Sequence, residues 1–340
     1  MIVLNRCTIL HFSEMVDAGK SRGSMELMDR QHSEREAYRE QVSREELVGR
    51  IGQSIREDGT VEPLEGLELW RASSPIELGH GLSYPAFCVI AQGAKEVLLG
   101  ENRYRYDPAH YLIATAALPI ATHITEASRE RPYLSLLLRL DPALIGSVMV
   151  EAGQLAPRAR APVAAIDVSP LDAGLLDAVL RLVRLVESPE EALVLGPLVR
   201  REIVYRLLKG EQSDRLHHIS AVGGHTHRIA EAIERLRRDF DQTLRVEDVA
   251  REFGMSASCF HRHFKAVTAM SPLQFQKQMR LQEARRLMLG EGLDAASAGH
   301  RVGYSDASHF TREYKRLFGA PPVRDMERLR ELTREESVGQ

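Results

Sequence analysis

Three side chains that can bind a transition metal lie close together in the stretch FGMSASCFHRHFKAV (253–267). Cys259, His261 and His263 alternate along it, and thiolate and imidazole groups are ligands that zinc prefers. If the stretch is helical, positions 259 and 263 share a face, while position 261 lies about 200° from each of them. Three ligands cannot converge on one ion from those directions, so we predict no metal site here.

The elements around this cluster are repeated later in the chain. Residues VAREFGMS (249–256) align with AGHRVGYS (298–305), and FHRHFKAVTAMSP (260–272) aligns with FTREYKRLFGAPP (310–322). The offset is 49 residues in the first pair and 50 in the second, which places one extra residue in or just after the second turn. Two copies of one unit are therefore expected.

Each copy has the pattern of a helix, a glycine turn and a second helix. In the first copy Gly254 tolerates a positive φ, and Ser256 suits the N-cap of the second helix. Phe260 and Phe264 would then bury one face of that helix. The residues between the copies, 272–289, read as one continuous helix of about 27 Å. That length is near the roughly 34 Å between successive major-groove faces of B-DNA.

The outward positions of the two second helices carry hydrogen-bond donors and positive charge, as DNA contact requires. We expect base contacts from Ser258, His261 and Arg262 in the first copy and from Ser308, Thr311 and Arg312 in the second. Phosphate contacts are expected from Lys265, Lys315 and Arg316. The alternative for the matched arginines is a salt bridge that holds the units together. Residues 224–324 contain 17 lysines and arginines against 12 acidic residues, while the whole chain has a net charge of −3.

These residues resemble the AraC family of transcription regulators. The family's motif is matched by Val249-Ala250, Val302-Gly303-Tyr304, Tyr314-Lys315 and Gly319-Ala320-Pro321-Pro322. Two departures are Ala298-Gly299, which replaces an isoleucine-alanine pair, and Ala269, which replaces a glycine. The resemblance implies two helix-turn-helix units joined by a long helix over about 225–325.

Residues 66–140 have a different texture, with short apolar or alternating runs that are broken by Gly, Pro, Asn and Asp. This pattern is typical of consecutive strands, with a hairpin turn at Gly100-Glu101-Asn102. Residues 83–145 resemble the N-terminal domain of an AraC-type subgroup, which is a cupin-like β-barrel. The resemblance implies that this domain senses a signal and that helices within 170–208 dimerise it.

The predicted fold is α+β with two domains: a cupin-like β-barrel with dimerisation helices, then an all-α DNA-binding domain. Ser43 is expected to cap a helix, and Pro170 is expected in the first turn of another. The expected boundaries are a poorly ordered extension (1–42), a regulatory and dimerisation domain (43–208), a linker (209–224), a double helix-turn-helix domain (225–325) and a charged tail (326–340).

The candidate effector-binding residue of the regulatory domain is Cys88, either as a sensor or as an inert buried thiol in the apolar run AFCVIA. His80, His110 and His123 are isolated, whereas a cupin metal site needs a His-x-His pair. We therefore predict no cofactor, no metal and no catalytic residue.

Two other function classes remain as alternatives. One is a cupin-type metalloenzyme with secondary DNA binding. The other is a DNA-repair protein fused to this DNA-binding domain, which would need a reactive cysteine near a histidine.

The expected function is sequence-specific transcription regulation, as an activator, controlled by a small-molecule effector. The expected partners are double-stranded promoter DNA, a second copy of the chain and RNA polymerase. Three widely spaced cysteines do not suggest a disulfide framework, and no apolar run is long enough for a membrane span. We therefore expect a cytoplasmic, nucleoid-associated protein.

Overall fold

The computed structural model describes residues 35–153, 163–220 and 224–338. Strands dominate the N-terminal part and helices form the C-terminal part, so the two-domain α+β prediction is confirmed at that level. No helix in these three ranges is long and apolar enough to cross a membrane.

Ten strands in the described ranges form two antiparallel sheets. The six-stranded sheet has the order β1-β2-β9-β4-β7-β10, and the four-stranded sheet has the order β3-β8-β5-β6. The strands are β1 (Gly59–Leu64), β2 (Leu67–Ala72), β3 (Ile76–Leu82), β4 (Ala86–Gln92), β5 (Ala94–Leu99), β6 (Asn102–Tyr106), β7 (His110–Ala114), β8 (Pro119–Glu126), β9 (Tyr133–Arg139) and β10 (Ile166–Pro170).

The expected closed barrel is absent from the described strands, because no strand of one sheet pairs with a strand of the other. Alternating hydrophobicity predicts which face of a strand is buried, but closure depends on pairing between edge strands, which the pattern does not encode. The expected hairpin is present. In the antiparallel pairing of β5 with β6, Lys95 lies opposite Tyr106 and Leu99 lies opposite Asn102, so Gly100 and Glu101 form the turn.

Helices cover the outer face of the six-stranded sheet. They are α1 (35–54), α2 (Pro142–Glu151), α3 (Ala173–Arg184), α4 (Pro189–Lys209) and α5 (Ser213–Ser220). One apolar core joins the outward side chains of β2, β4, β7 and β9 to α1, α2, α3 and α4.

Two local expectations about where helices begin were wrong. Ser43 is not an N-cap, because α1 already includes 35–42. That part of the expected extension is helical, and 1–34 lies outside the described residues. Pro170 ends β10, and Asp172 caps α3 by accepting a hydrogen bond from the Leu175 amide at 2.8 Å. The expected linker contains α5.

The C-terminal helices are α6 (Gly224–Arg238), α7 (Val246–Glu252), α8 (Ala257–Thr268), α9 (Pro272–Gly290), α10 (Ala295–Arg301), α11 (Ala307–Phe318) and α12 (Pro322–Val338). The two repeat units match in length: α7 and α10 have 7 residues each, and α8 and α11 have 12 each. The extra residue lies in the second turn, between α10 and α11. Residues 326–338, within the expected tail, belong to α12.

A second apolar core runs from the sheets into the first repeat unit. It joins inner-face residues such as Val97 and Leu112 to Phe260, Phe264 and Val267. The second unit has its own core around Phe310 and Tyr314. The first unit is therefore the one that shares its core with the sheets.

Candidate functional site

The two second helices of the repeat, α8 and α11, begin in the same way. The Ser256 hydroxyl accepts a hydrogen bond from the Cys259 amide at 3.3 Å, and the Asp306 carboxylate accepts one from the His309 amide. Before each of them the chain turns at a glycine with positive φ, +64° at Gly254 and +90° at Gly303. Each turn and cap therefore fixes where its helix begins.

Most of the expected DNA-contacting side chains lie on the exposed faces of α8 and α11. Eight are exposed: Ser258, His261, Arg262, Lys265, Ser308, Arg312, Lys315 and Arg316. Thr311 is half-buried, and its hydroxyl donates to the Ala307 carbonyl oxygen at 2.8 Å. The Thr311 hydroxyl can therefore still accept a hydrogen bond, although its proton is already donated within the helix.

The charged members of this set differ in how far their charge is already neutralised. Arg262 and Arg312 form no ion pair with any residue in the described ranges, so a salt bridge between the units does not account for them there. Arg316 is different, because its guanidinium lies 2.6 Å from the Glu313 carboxylate. Glu313 is buried and also binds Lys277 of α9 at 2.6 Å.

The long helix α9 holds the two units together through the side chain of Arg280. Its guanidinium donates to the carbonyl oxygens of Phe240, Asp241 and Gln242 after α6, and to that of Gly303 in the second turn, at 2.7–3.1 Å. Gly303 fits because a Cβ there would lie 2.3 Å from the Asp241 oxygen. With 19 residues, α9 spans about 28 Å.

The cluster of Cys259, His261 and His263 does not converge on a point. Within the described ranges, no group of three or more His, Cys, Asp or Glu side chains is placed to hold a metal ion. The histidines of the sheet domain have other contacts. The ring of His80 packs edge-on against Phe318 at 4.8 Å, and His110 binds Asp107 at 2.7 Å.

Cys88 lies on the inner face of β4, between the two sheets. Burial raises the pKa of its thiol to about 11, so the thiol stays protonated at neutral pH. A protonated thiol is a poor nucleophile, which weakens the argument for Cys88 as a covalent sensor.

Lys95 of β5 faces Cys88 across the space between the sheets. It was not among the residues predicted from the sequence. Its ammonium nitrogen lies 4.4 Å from the centroid of the Trp70 ring. Burial lowers the pKa of Lys95 to about 8. Strand alternation gives a partial signal, because Lys95, Val97 and Leu99 share one face of β5, but it does not say which face is buried.

The sheet domain contacts the C-terminal end of α8, and His80 of β3 packs against Phe318 at the C-terminal end of α11. The Ala165 amide donates to the Val267 carbonyl oxygen at 3.0 Å, and Gln282 of α9 donates to the Gly81 carbonyl oxygen at 3.2 Å. Gly100 lies so close to Ala269 that a Cβ at position 100 would be 2.8 Å from its carbonyl oxygen. Both repeat units are therefore attached to the sheets away from the starts of their second helices.

Two family models match the chain. One, described as the AraC-type transcriptional regulator N-terminus, matches residues 63–215, and the other, a helix-turn-helix domain, matches residues 249–328.

Curated relatives match over part of the chain. The HTH-type transcriptional regulator ArgR of Pseudomonas aeruginosa is 24% identical over 149 residues, 44% of this chain and 45% of the relative. The HTH-type transcriptional activator RhaS of Escherichia coli O1:K1 / APEC is 26% identical over 152 residues, 43% of this chain and 52% of the relative. The match spans about half the length of each of these two proteins.

Solved structures show more distant similarity. ToxT from Vibrio cholerae is 11% identical, with a TM-score of 0.48 and coverage of 76% of this chain and 97% of that one. A probable AraC family regulator from Rhodopseudomonas palustris is 24% identical, with a TM-score of 0.28 and coverage of 30% and 96%. Because the two family models together span both the sheet domain and the repeat, the chain belongs to the AraC family of transcriptional regulators.

Proposed function

We propose that the chain is a sequence-specific DNA-binding regulator in which α8 and α11 enter the major groove as the second helices of two helix-turn-helix units. The observation that carries this proposal is the exposed row of donors and cations on α8 and its copy on α11. Arg262 and Arg312 stand at matched positions with their charge unpaired in the described ranges. An arginine in this setting can bind guanine with two hydrogen bonds.

The test uses the full chain and DNA sites selected from a random library. Arg262→Ala and Arg312→Ala should each weaken specific binding by about 5- to 150-fold and relax base preference at different positions. Arg286→Ala is the matched control, because Glu283 and Glu291 already neutralise that arginine of α9. Absence of salt-dependent, sequence-selective binding by the wild-type chain would refute the proposal.

Lys265 and Lys315 should act on DNA through phosphates. Replacing either with Ala should lower affinity for all sequences alike and reduce the slope of log K against log salt by about 1. Arg316 should contribute less, because Glu313 already holds its guanidinium. Measured salt slopes for the three variants separate these roles.

The second partner is another copy of the chain, which would cover an exposed apolar surface on α4. Five large apolar side chains on this helix are 42–81% exposed: Leu193, Val194, Leu195, Leu198 and Tyr205. An exposed patch of this kind is typical of a protein interface. Leu198→Glu should shift the chain towards monomer in analytical ultracentrifugation, while Leu289→Glu on α9 should not. An unchanged mass for Leu198→Glu would reject this surface.

The sheet domain would supply the sensory function, with the effector held between the sheets in a cupin-like manner. The AraC-type N-terminal match over 63–215 supports this role. RNA polymerase as a partner and activation as the mode of regulation stay predictions. Transcription from a selected site, with and without the protein, would test both.

A further inference from the structure

Within the second apolar core, the inner faces of the two sheets enclose a mixed polar and aromatic group. We call Trp70, Cys88, Lys95, Tyr106 and Tyr133 the Lys95 cluster. The ammonium of Lys95 lies over the Trp70 ring, and the Trp70 and Tyr133 rings meet edge to face at 5.5 Å. Trp70 and Cys88 stand on the six-stranded sheet, and Lys95 approaches them from the other.

The charge of Lys95 lacks a counter-charge in this environment. Its ammonium forms no ion pair or hydrogen bond with the residues that the structure describes. The Cys88 thiol is uncharged at neutral pH because burial raises its pKa. The carboxylate of Glu68 is held instead by Arg139, at 2.6 Å, and by Tyr84, at 3.0 Å. A cation placed among apolar groups without a partner is unfavourable, so an anion from outside would relieve it.

The same region contains a buried hydroxyl and side chains that keep part of their surface accessible. Tyr133 is fully buried, and its hydroxyl lies beside those of Tyr106 and Ser135. Trp70, Cys88 and Lys95 are surrounded by protein, yet each keeps part of its surface accessible. Side chains that are enclosed but not sealed are expected around a space that a small molecule can enter.

The chemistry of the cluster limits what can bind. One cation neutralises one negative charge, and a phosphate dianion would bring a second charge into a site where the described residues place no second cation beside Lys95. The neighbouring side chains Val97 and Leu112 are apolar, so the rest of the ligand should be apolar too. An aromatic or aliphatic body can also lie against the Trp70 ring.

We propose that the Lys95 cluster binds an organic monocarboxylate, whose carboxylate pairs with Lys95 and whose apolar body lies against Trp70. This inference deepens the proposed function, because such an acid would be the signal that the sheet domain senses. It gives the domain a ligand class and a residue that selects it.

The chain offers a built-in reporter, because Trp70 is the only tryptophan in the sequence. The full chain is titrated with benzoate, cinnamate, octanoate and their primary amides while the emission of Trp70 is followed. At least one acid should change the emission saturably, and its amide should bind about tenfold more weakly or worse. Equal affinity of acid and amide, or no saturable change with any of the three acids, would overturn the proposal.

Variants test the assigned residue directly. Lys95→Met should weaken binding of the acid at least about tenfold, while Lys95→Arg should retain part of the affinity because it keeps the charge. Lys209→Met is the control, because that lysine also lies over an aromatic ring, Tyr205, but on an exposed surface. Unchanged affinity in a folded Lys95→Met chain would reject Lys95. If circular dichroism shows that variant unfolded, the acid–amide comparison in the wild-type chain decides.

DNA binding is measured independently of acid binding, from the fluorescence anisotropy of a fluorescein-labelled DNA site. Acid binding without DNA binding would defeat the proposed function and leave the ligand site intact. DNA binding with no binding of any of the three acids would overturn the ligand site and leave the proposed function intact.

Discussion

Gly299 explains one departure from the family motif, and a single substitution tests the explanation. It lies in α10, where the family usually has alanine, and it faces Phe310 of α11. A Cβ at position 299 would lie 2.9 Å from Cγ of the Phe310 ring, closer than real Cβ contacts come, and 3.0 Å from Cδ1. The ring cannot easily withdraw, because it is fully buried and packs against Tyr304 at 5.3 Å and Tyr314 at 5.6 Å.

The size of the effect follows from two opposing terms. Inserting one methyl group into a packed core costs about 1–3 kcal/mol, and the close distance places Gly299→Ala in the upper part of that range. The alanine recovers about 1 kcal/mol through its higher helix propensity. We therefore expect the free energy of unfolding of the C-terminal domain to fall by about 1–2 kcal/mol.

The measurement is equilibrium unfolding in urea, followed by circular dichroism. Gly290→Ala serves as the control in the same domain, because no atom lies within 4 Å of the Cβ it would gain. That variant should be as stable as the wild type or slightly more stable. If Gly299→Ala unfolds at the same urea concentration as Gly290→Ala, the contact with Phe310 does not explain the glycine.

Three further predictions concern stability and reactivity. Ala269→Gly should raise the free energy of unfolding by about 1 kcal/mol, because alanine at φ +57° is strained. Ala266→Gly, inside α8, is the control and should lower it. Equal effects of the two substitutions on urea unfolding would contradict the strain at position 269. Asp325→Asn should cost about 3–5 kcal/mol at neutral pH, because the buried carboxylate binds Arg285 at 2.8 Å. Burial alone would raise the pKa of Asp325, but its hydrogen bonds lower the pKa overall. The stabilisation by its carboxylate is therefore complete above a pH of about 4, and it is lost as the pH falls through the lowered pKa of the folded state. Urea unfolding is measured at neutral pH and in acid below a pH of about 4. The difference in free energy of unfolding between Asp325→Asn and the wild type should shrink in acid, and a constant difference would contradict this role of the Asp325 carboxylate. Finally, iodoacetamide should alkylate Cys88 slowly in the native chain and rapidly in urea, as mass spectrometry of its peptide can show; equal rates would mean that its thiol is not buried as the structure has it.

The repeat units were predictable because their determinants are local. Gly254 allows a backbone conformation that most residues avoid, Ser256 supplies the cap, and the phenylalanines recur at helical spacing. A second copy at nearly constant offset supports each inference independently. Ser43 shows the opposite case, since a local capping pattern there lies inside a longer helix whose buried face packs on the six-stranded sheet.

The sheet domain was harder to predict for physical reasons. In β3 the apolar residues Ile76, Leu78 and Leu82 lie on one side of the alternation in IELGHGL and are all exposed, so that alternation does not mark a buried face. β10 lies far along the chain from its partner β7, and such pairing leaves no local trace. α2 and α5 are short and depend on tertiary packing. A set of strands could therefore be predicted, but their division into two sheets could not.

The candidate DNA-contacting residues were predictable and Lys95 was not, because the evidence for them differs in kind. Outward positions on α8 and α11 follow from the helical period once the buried phenylalanines are assigned. A lysine in a strand usually points to solvent, and only the packing of the second sheet turns Lys95 inward. Sites built between two layers of structure depend on that packing.

The position of Lys95 relates the two proposals to each other. β5, which carries it, ends at the Gly100–Glu101 turn, and that turn touches Ala269 at the end of α8. The expected base contacts lie at the other end of α8, near Ser258 and Arg262. Because a helix moves as a stiff rod, a displacement applied at its C-terminal end changes the angle at which its N-terminal end meets a groove. An acid that moved β5 by a fraction of an ångström would therefore act on DNA binding through position 269. The same titration in a Gly100→Ala chain, whose added Cβ would lie 2.8 Å from the Ala269 carbonyl oxygen, would show whether that contact transmits the change.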